Sequence, residues 1–173
     1  IILSAEEMRL IYDVVRRRAS CNFLVFGLGD DSAVWDATNH QGHTLFIEDD
    51  EQWVGSVLDE YPGLDVLTYT YETERREWED LLDCPKELEM ELPGRVLKRS
   101  WDVILVDAPA GHESELPGRM QSIYTASRLA APGTDVFVHD IDRKVESAYC
   151  DEFFAEGDQQ HQVQRLRHYH VTA

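Results

Sequence analysis

Four acidic residues and two glycines sit where a nucleoside cofactor would need them. Gly27 and Gly29 close an apolar run, Phe23 to Phe26, and Asp31 and Ser32 follow at once, ahead of the apolar-spaced Ala33, Val34, Trp35 and Ala37. A glycine turn between a buried strand and a helix presents backbone to a ligand, and Asp and Ser are residues that begin helices. A second apolar run, Thr44 to Ile47, ends on Glu48, nineteen positions after Gly29, with Asp49 beside it. A carboxylate at that spacing is placed to accept hydrogen bonds from ribose hydroxyls. Further along, WDVILVD ends on Asp107 and TDVFVHD ends on His139 and Asp140.

Charge selects among nucleoside cofactors. The dinucleotide fingerprint is G-x-G-x-x-G, whereas the run here is G-L-G-D-D-S, which puts Asp30 and Asp31 where a pyrophosphate would lie. S-adenosylmethionine carries the adenosine without the phosphates, and its sulfonium and ammonium suit acidic surroundings. Gly27, Gly29, Asp31, Ser32, Glu48, Asp49 and Asp107 are therefore the expected cofactor-binding residues. The alternative is a plain surface turn, with Glu48 as a solvated strand end.

The elements that must position these residues alternate. Ser4 with Glu7 reads as a capping box for a first helix with Met8, Ile11, Tyr12 and Val15 on one face. Strands follow over 23–26, 44–47, 65–71, 101–107 and 134–138, and a last, Arg- and His-rich strand over 164–171. Helices are expected over 33–37, 50–61, 120–130 and 144–154, with one or two more in the charged stretch 74–91, interrupted at Pro85. Five apolar strands alternating with helices predict an α/β fold, a doubly wound, mostly parallel, Rossmann-like sheet of the S-adenosylmethionine-dependent methyltransferase type. In such a sheet the carboxyl ends of the strands form the ligand crevice, so Asp107, His139 and Asp140 should meet there.

The 173 residues fit a single domain, 1–173, and 43% hydrophobic residues can supply its core. With 16 Lys and Arg against 34 Asp and Glu, the formal charge is −18. That repels nucleic acid and acidic membrane surfaces, and neither is an expected partner. Cys21, Cys84 and Cys150 form no metal-binding pair, and sequence leaves open a bridge between Cys84 and Cys150. There is no run of 18 apolar residues and no leader-like opening, and the first residue is Ile1, which reads as a trimmed chain.

The stretches CNFLVFGLGDDS, NHQG, LFIEDD, WDVILVDAP, PGRMQSIYTA and TDVFVHDIDR, spanning most of residues 20–150, resemble the plant and algal glucuronoxylan 4-O-methyltransferase family. The resemblance implies a Golgi-lumen enzyme that moves a methyl group from S-adenosylmethionine to O-4 of glucuronic acid side chains on a polysaccharide such as xylan, with relatives acting on arabinogalactan. Asp30 departs from it, since a His is expected there in the land-plant pattern.

Methyl transfer to a sugar hydroxyl needs a group that takes the proton, or a divalent metal held by carboxylates that acidifies the hydroxyl. Asp107 and Asp140 are the expected catalytic residues, Asp107 as base, and the layout is similar to catechol-type methyltransferases with an aspartate at each of those strand ends. The structural alternatives are that Asp107 caps the following turn and Asp140 the last helix. A glucuronate acceptor calls for a local cation, and Arg119 leads, with Gly118 letting backbone approach the sugar. His112, Tyr124, His139 and Arg143 complete the substrate-binding candidates. The competing classes are a nucleotide-dependent oxidoreductase and a non-catalytic polysaccharide-binding module on the same scaffold.

Overall fold

The computed structural model describes residues 3–173. Its centre is a seven-stranded sheet made of β1 (Asn22–Phe26), β2 (His43–Glu48), β3 (Asp65–Thr68), β4 (Val103–Val106), β5 (Asp135–Val138), β6 (Gln159–Val163) and β7 (Leu166–His170). The spatial order is β3-β2-β1-β4-β5-β7-β6. Strands β1 to β5 are parallel, while β7 runs antiparallel to β5 and β6 antiparallel to β7.

The apolar runs are continuous because both faces of the sheet are covered. Phe23, Val25, Phe46, Leu105 and Phe137 point to one side, against Ile11, Val14 and Val15 of α1 (Ala5–Arg18), Trp35 of α2 (Ser32–Thr38), and Val54 and Val57 of α3 (Glu51–Glu60). Leu24, Phe26, Ile47, Ile104, Val106 and Val138 point to the other. They meet Leu81 of α4 (Trp78–Asp83), Val96 of α5 (Gly94–Leu97), Met120, Ile123 and Ala126 of α6 (Met120–Leu129), and Val145 and Tyr149 of α7 (Lys144–Phe153). Alternate side chains along each strand thus feed two separate apolar layers.

Helix α1 begins with the expected capping box: the Glu7 amide donates to Ser4 Oγ at 3.3 Å and the Ser4 amide donates to Glu7 Oε2 at 2.7 Å. Two elements depart from expectation. Residues 159–163, read as a polar stretch, form the edge strand β6, whose first four residues are exposed. An edge strand has no second neighbour to bury it, so it carries no apolar signature. The short helix α5 was likewise unexpected, for four residues carry no period. The bridge left open between Cys84 and Cys150 is absent: Cys84 is exposed, Cys150 is buried, and all three cysteines are free.

Candidate active site

The order of the sheet reverses between β1 and β4. From β1 the chain proceeds outward through β2 and β3, and from β4 it proceeds the other way, so the loops after β1 and β4 part and leave a crevice. Gly27 sits at its mouth with φ +120°, a conformation that side chains rarely adopt, and a Cβ there would come 3.2 Å from Ala108 Cβ. The turn is fastened behind it: the Gly29 amide donates to Ser32 Oγ at 2.9 Å, and Trp35 Nε1 donates to Asp31 Oδ2 at 2.9 Å. Ser32 is buried and thus fixes the turn from inside instead of reaching a ligand, and Asp31 makes no cap hydrogen bond to α2. Asp31 lines the inner end of the crevice with Gly27, Gly29, Glu48 and Asp107, and its burial raises its carboxyl above the usual range.

Glu48 ends β2 at the floor. Its Oε2 accepts from the Leu28 amide at 2.8 Å, and its Oε1 accepts from the amides of Asp49 and Asp50 at 2.9 and 3.1 Å. Burial raises this carboxyl, and the amide hydrogen bonds work against that rise. Beyond it a cavity of about 410 Å³ opens, lined by Glu48, Asp49, Trp53, Asp107, His112 and Arg119 among others. Trp53, although apolar and spaced with the buried Val54 and Val57 of α3, is 38% exposed, and its Nε1 donates to Leu28 O at 2.6 Å. Apolar spacing alone could not separate it from core residues. The signal that could have is its place in the first turn of the helix entered from Glu48.

Asp107 follows β4 and faces the cavity, its side chain 23% exposed. His139 Nδ1 lies 2.8 Å from Asp107 Oδ1, and Arg119 reaches the same oxygen at 3.2 Å, so the second oxygen, Oδ2, has no partner among the described residues. A carboxylate can only accept, hence His139 Nδ1 carries the hydrogen. His139 is fully buried, and its Nε2 faces Glu7 Oε2 at 3.5 Å. Glu7 is also fully buried, so one residue caps α1 and stands behind the imidazole. Desolvation would raise the Glu7 carboxyl, but the amides of Ser4 and Arg165 and the nearby His139 together hold it below the usual range.

Several of the sequence-based roles need correction, that of His139 among them, since its full burial keeps it from touching a sugar. Asp140 borders the cavity, but its carboxylate is spent on cations. It is fully buried with φ +60°, and it is held by Arg119 at 2.9 Å, Arg143 at 3.1 Å and Arg165 at 2.9 Å. Arg119 in turn is 5% exposed and spends its donors inward, on Pro109 O, His139 O and Asp107 O besides the two aspartates. It braces the loop after β4 and has no open fork for a sugar carboxylate. Tyr124 is not in the crevice. It lies one position round α6 from the buried Ile123, packs edge-on against Phe153 at 5.1 Å, and lines a separate hollow with Leu97 and Arg128. Gly118, with φ +71°, serves the loop's own packing: a Cβ there would strike Met120.

Asp107, His139 and Asp140 place three donor atoms within 4.8 Å of one another, a spacing that could hold a metal ion. His139 Nδ1 and the Asp140 carboxylate are already engaged, and only Asp107 Oδ2 is open. A dication there would share Asp140 with three guanidiniums and lie against Arg119. The arrangement does not fit a resident metal. His112 stands exposed at the rim, and Arg143, at the rim on the same side, pairs with Asp140 and with Glu146, whose carboxyl is raised by burial.

A model of the family described as IRX15/IRX15L/GXM matches residues 6–91 and 83–169. The chain is 40% identical over 189 residues to glucuronoxylan 4-O-methyltransferase 2 of Arabidopsis thaliana, covering 97% of this chain and 65% of that protein. It is 36% identical over 194 residues to arabinogalactan O-methyltransferase 2 of the same plant, covering 97% and 66%. It thus spans about two thirds of the length of these relatives. Among solved structures, a Staphylococcus aureus protein described as a caffeoyl-CoA O-methyltransferase aligns with TM-score 0.61 at 14% identity, covering 99% of this chain and 86% of that one. A methyltransferase-like protein of Silicibacter pomeroyi aligns with TM-score 0.59 at 16% identity, covering 99% and 88%. These two share the fold of this chain.

Proposed function

The chain belongs to the IRX15/IRX15L/GXM family, and on that premise we propose that it transfers a methyl group from S-adenosylmethionine to O-4 of a glucuronic acid side chain on a cell-wall polysaccharide such as glucuronoxylan, in the Golgi lumen. The observation that carries this reading is the Asp107 carboxylate at the switch point, gripped through Oδ1 by His139 and Arg119 with Oδ2 open to the cavity.

The residues present fit the donor. Gly27 lacks the side chain that would fill the crevice, and Glu48, locked by three backbone amides, keeps lone pairs for ribose hydroxyls. Trp53 offers an aromatic wall beside Asp49 and Asp50. The acidic lining favours a cation and disfavours a pyrophosphate. When bound, S-adenosylmethionine supplies an electrophilic methyl carbon.

The chain's own work is then alignment and proton removal. Asp107 Oδ2 accepts the proton of the acceptor hydroxyl. His139 and Arg119 hold Oδ1, which fixes the direction in which Oδ2 points, and Asp140 keeps Arg119 in place by pairing with it in the interior. Glu7 stands behind His139 and orients the ring. His112, exposed at the rim, is left to meet the acceptor, and Arg143, though paired with Asp140 and Glu146, is the cation facing the same cavity.

The test is to incubate the chain with isotope-labelled S-adenosylmethionine and glucuronoxylan and locate the label by NMR of the released sugar. Label at O-4 of glucuronate is the expected result. A folded chain that binds S-adenosylhomocysteine but labels no uronate would refute the activity, and a chain that binds no S-adenosyl compound would refute the donor as well.

A further inference from the structure

On the opposite edge of the sheet, at the amino end of β5, lies a pocket of about 460 Å³ that the transfer reaction does not use. Arg17 and Arg18 of α1, His161 of β6, and His168 and His170 of β7 line it, with Asp135 of β5 as the one carboxylate. Two guanidiniums and three imidazoles around a single acid are out of keeping with a chain of formal charge −18.

Asp135 accounts for only part of this charge. Its Oδ1 accepts from His168 Nε2 at 2.7 Å and His170 Nδ1 at 3.0 Å, and its Oδ2 meets Arg18 Nε at 2.5 Å. Burial would raise this carboxyl; the two imidazole hydrogen bonds and the Arg18 charge outweigh that and hold it below the usual range. Three groups are left over. Arg17 and His161 are exposed and make no ion pair among the described residues. His168 is 5% exposed, stacked between the rings of Phe137 and His161, and its Nδ1 is buried with no hydrogen-bond partner. With Nε2 donating to Asp135, Nδ1 is the ring's acceptor, so a ligand hydroxyl satisfies it while the ligand's anionic group meets the unpaired Arg17.

We propose that this pocket is a second anion-binding subsite, taking the carboxylate of an acidic sugar residue other than the one methylated. The choice of a uronate rests on the function proposed above; the demand for an oxyanion does not. Strand β5 has four residues, so at about 3.3 Å per residue its two ends lie roughly 13 Å apart through the sheet, and a polysaccharide joining the two sites passes over the surface by a longer path. Holding a polyanion at two places raises its effective concentration at the crevice, which an enzyme of this net charge otherwise repels.

The test follows the imidazole NMR signals of the whole chain during titration with a glucuronate-bearing xylan oligosaccharide, a neutral xylan oligosaccharide and inorganic phosphate. The acidic oligosaccharide should give saturable shifts of His161 and His170, and the neutral one none. Arg17→Glu and His161→Ala, both at exposed positions, should each weaken the response by roughly tenfold while leaving S-adenosylhomocysteine binding unchanged. Silence with every anion, or shifts that neither variant reduces, would overturn the subsite. A response to phosphate alone would overturn the uronate assignment. Because the readout needs no turnover, a chain without methyl transfer would leave this result intact and sink only the proposed reaction.

Discussion

Asp107→Asn removes the open oxygen and little else. The asparagine Oδ1 can stay against His139 Nδ1 and Arg119, where Asp107 Oδ1 now accepts at 2.8 and 3.2 Å, which turns the amide nitrogen toward the cavity in place of Oδ2. Arg119 remains paired with Asp140 at 2.9 Å, so no buried guanidinium is orphaned. The lost charge weakens two contacts on a partly exposed side chain, a cost of about 1–2 kcal/mol in stability. Loss of a general base costs roughly 10²–10⁴ in rate, or about 3–5 kcal/mol on the barrier. The assay is methyl transfer to glucuronoxylan under saturating donor, alongside calorimetric binding of S-adenosylhomocysteine. Turnover should fall by at least about a hundredfold while affinity for this uncharged-sulfur product changes by less than about threefold. Turnover within about threefold of the unmodified chain would refute Asp107 as the base, since that is under 1 kcal/mol on the barrier.

Gly27→Ala forces a side chain into φ +120° and toward Ala108, so S-adenosylhomocysteine binding should weaken strongly and urea unfolding show a loss of about 1–3 kcal/mol; unchanged affinity would show that the donor does not approach this backbone. Glu7→Gln keeps one of the amide hydrogen bonds from Ser4 and Arg165 and removes the charge behind His139, costing about 1–3 kcal/mol. Because the folded-state pKa of Glu7 lies below its unfolded value, its contribution is present above the ordinary glutamate range and lost as pH falls through the folded pKa, so the gap between the two proteins should close in acid; a gap independent of pH would contradict this. Trp53→Phe should abolish most of the tryptophan fluorescence change on donor binding, and a full change in the variant would place the donor elsewhere.

The frame of the crevice was legible because it follows from local rules. A buried strand, a glycine turn and an acid nineteen residues on are fixed by chain geometry, and Gly27, Glu48 and Asp107 fall where those rules put them. The capping box at Ser4 and Glu7 was readable for the same reason. The second role of Glu7 was not, since His139 is 132 positions away in the chain and the contact exists only once α1 lies against β5 and β7. Arg119 and Asp140 looked like free functional groups because sequence shows charge but not its partners; in the fold they neutralise each other in the interior. Tyr124 and Trp53 exchanged fates through helix phase, as a single step round a helix turns a side chain by about 100°.

The central claim is that the crevice between the loops after β1 and β4 binds the methyl donor. It is tested most directly by a crystal structure of the chain with S-adenosylhomocysteine, in which the ribose hydroxyls should meet Glu48, the adenine lie beside Trp53, and the sulfur point toward Asp107. Ligand seated elsewhere, or a crevice that stays closed to it at saturating concentration, would contradict the account.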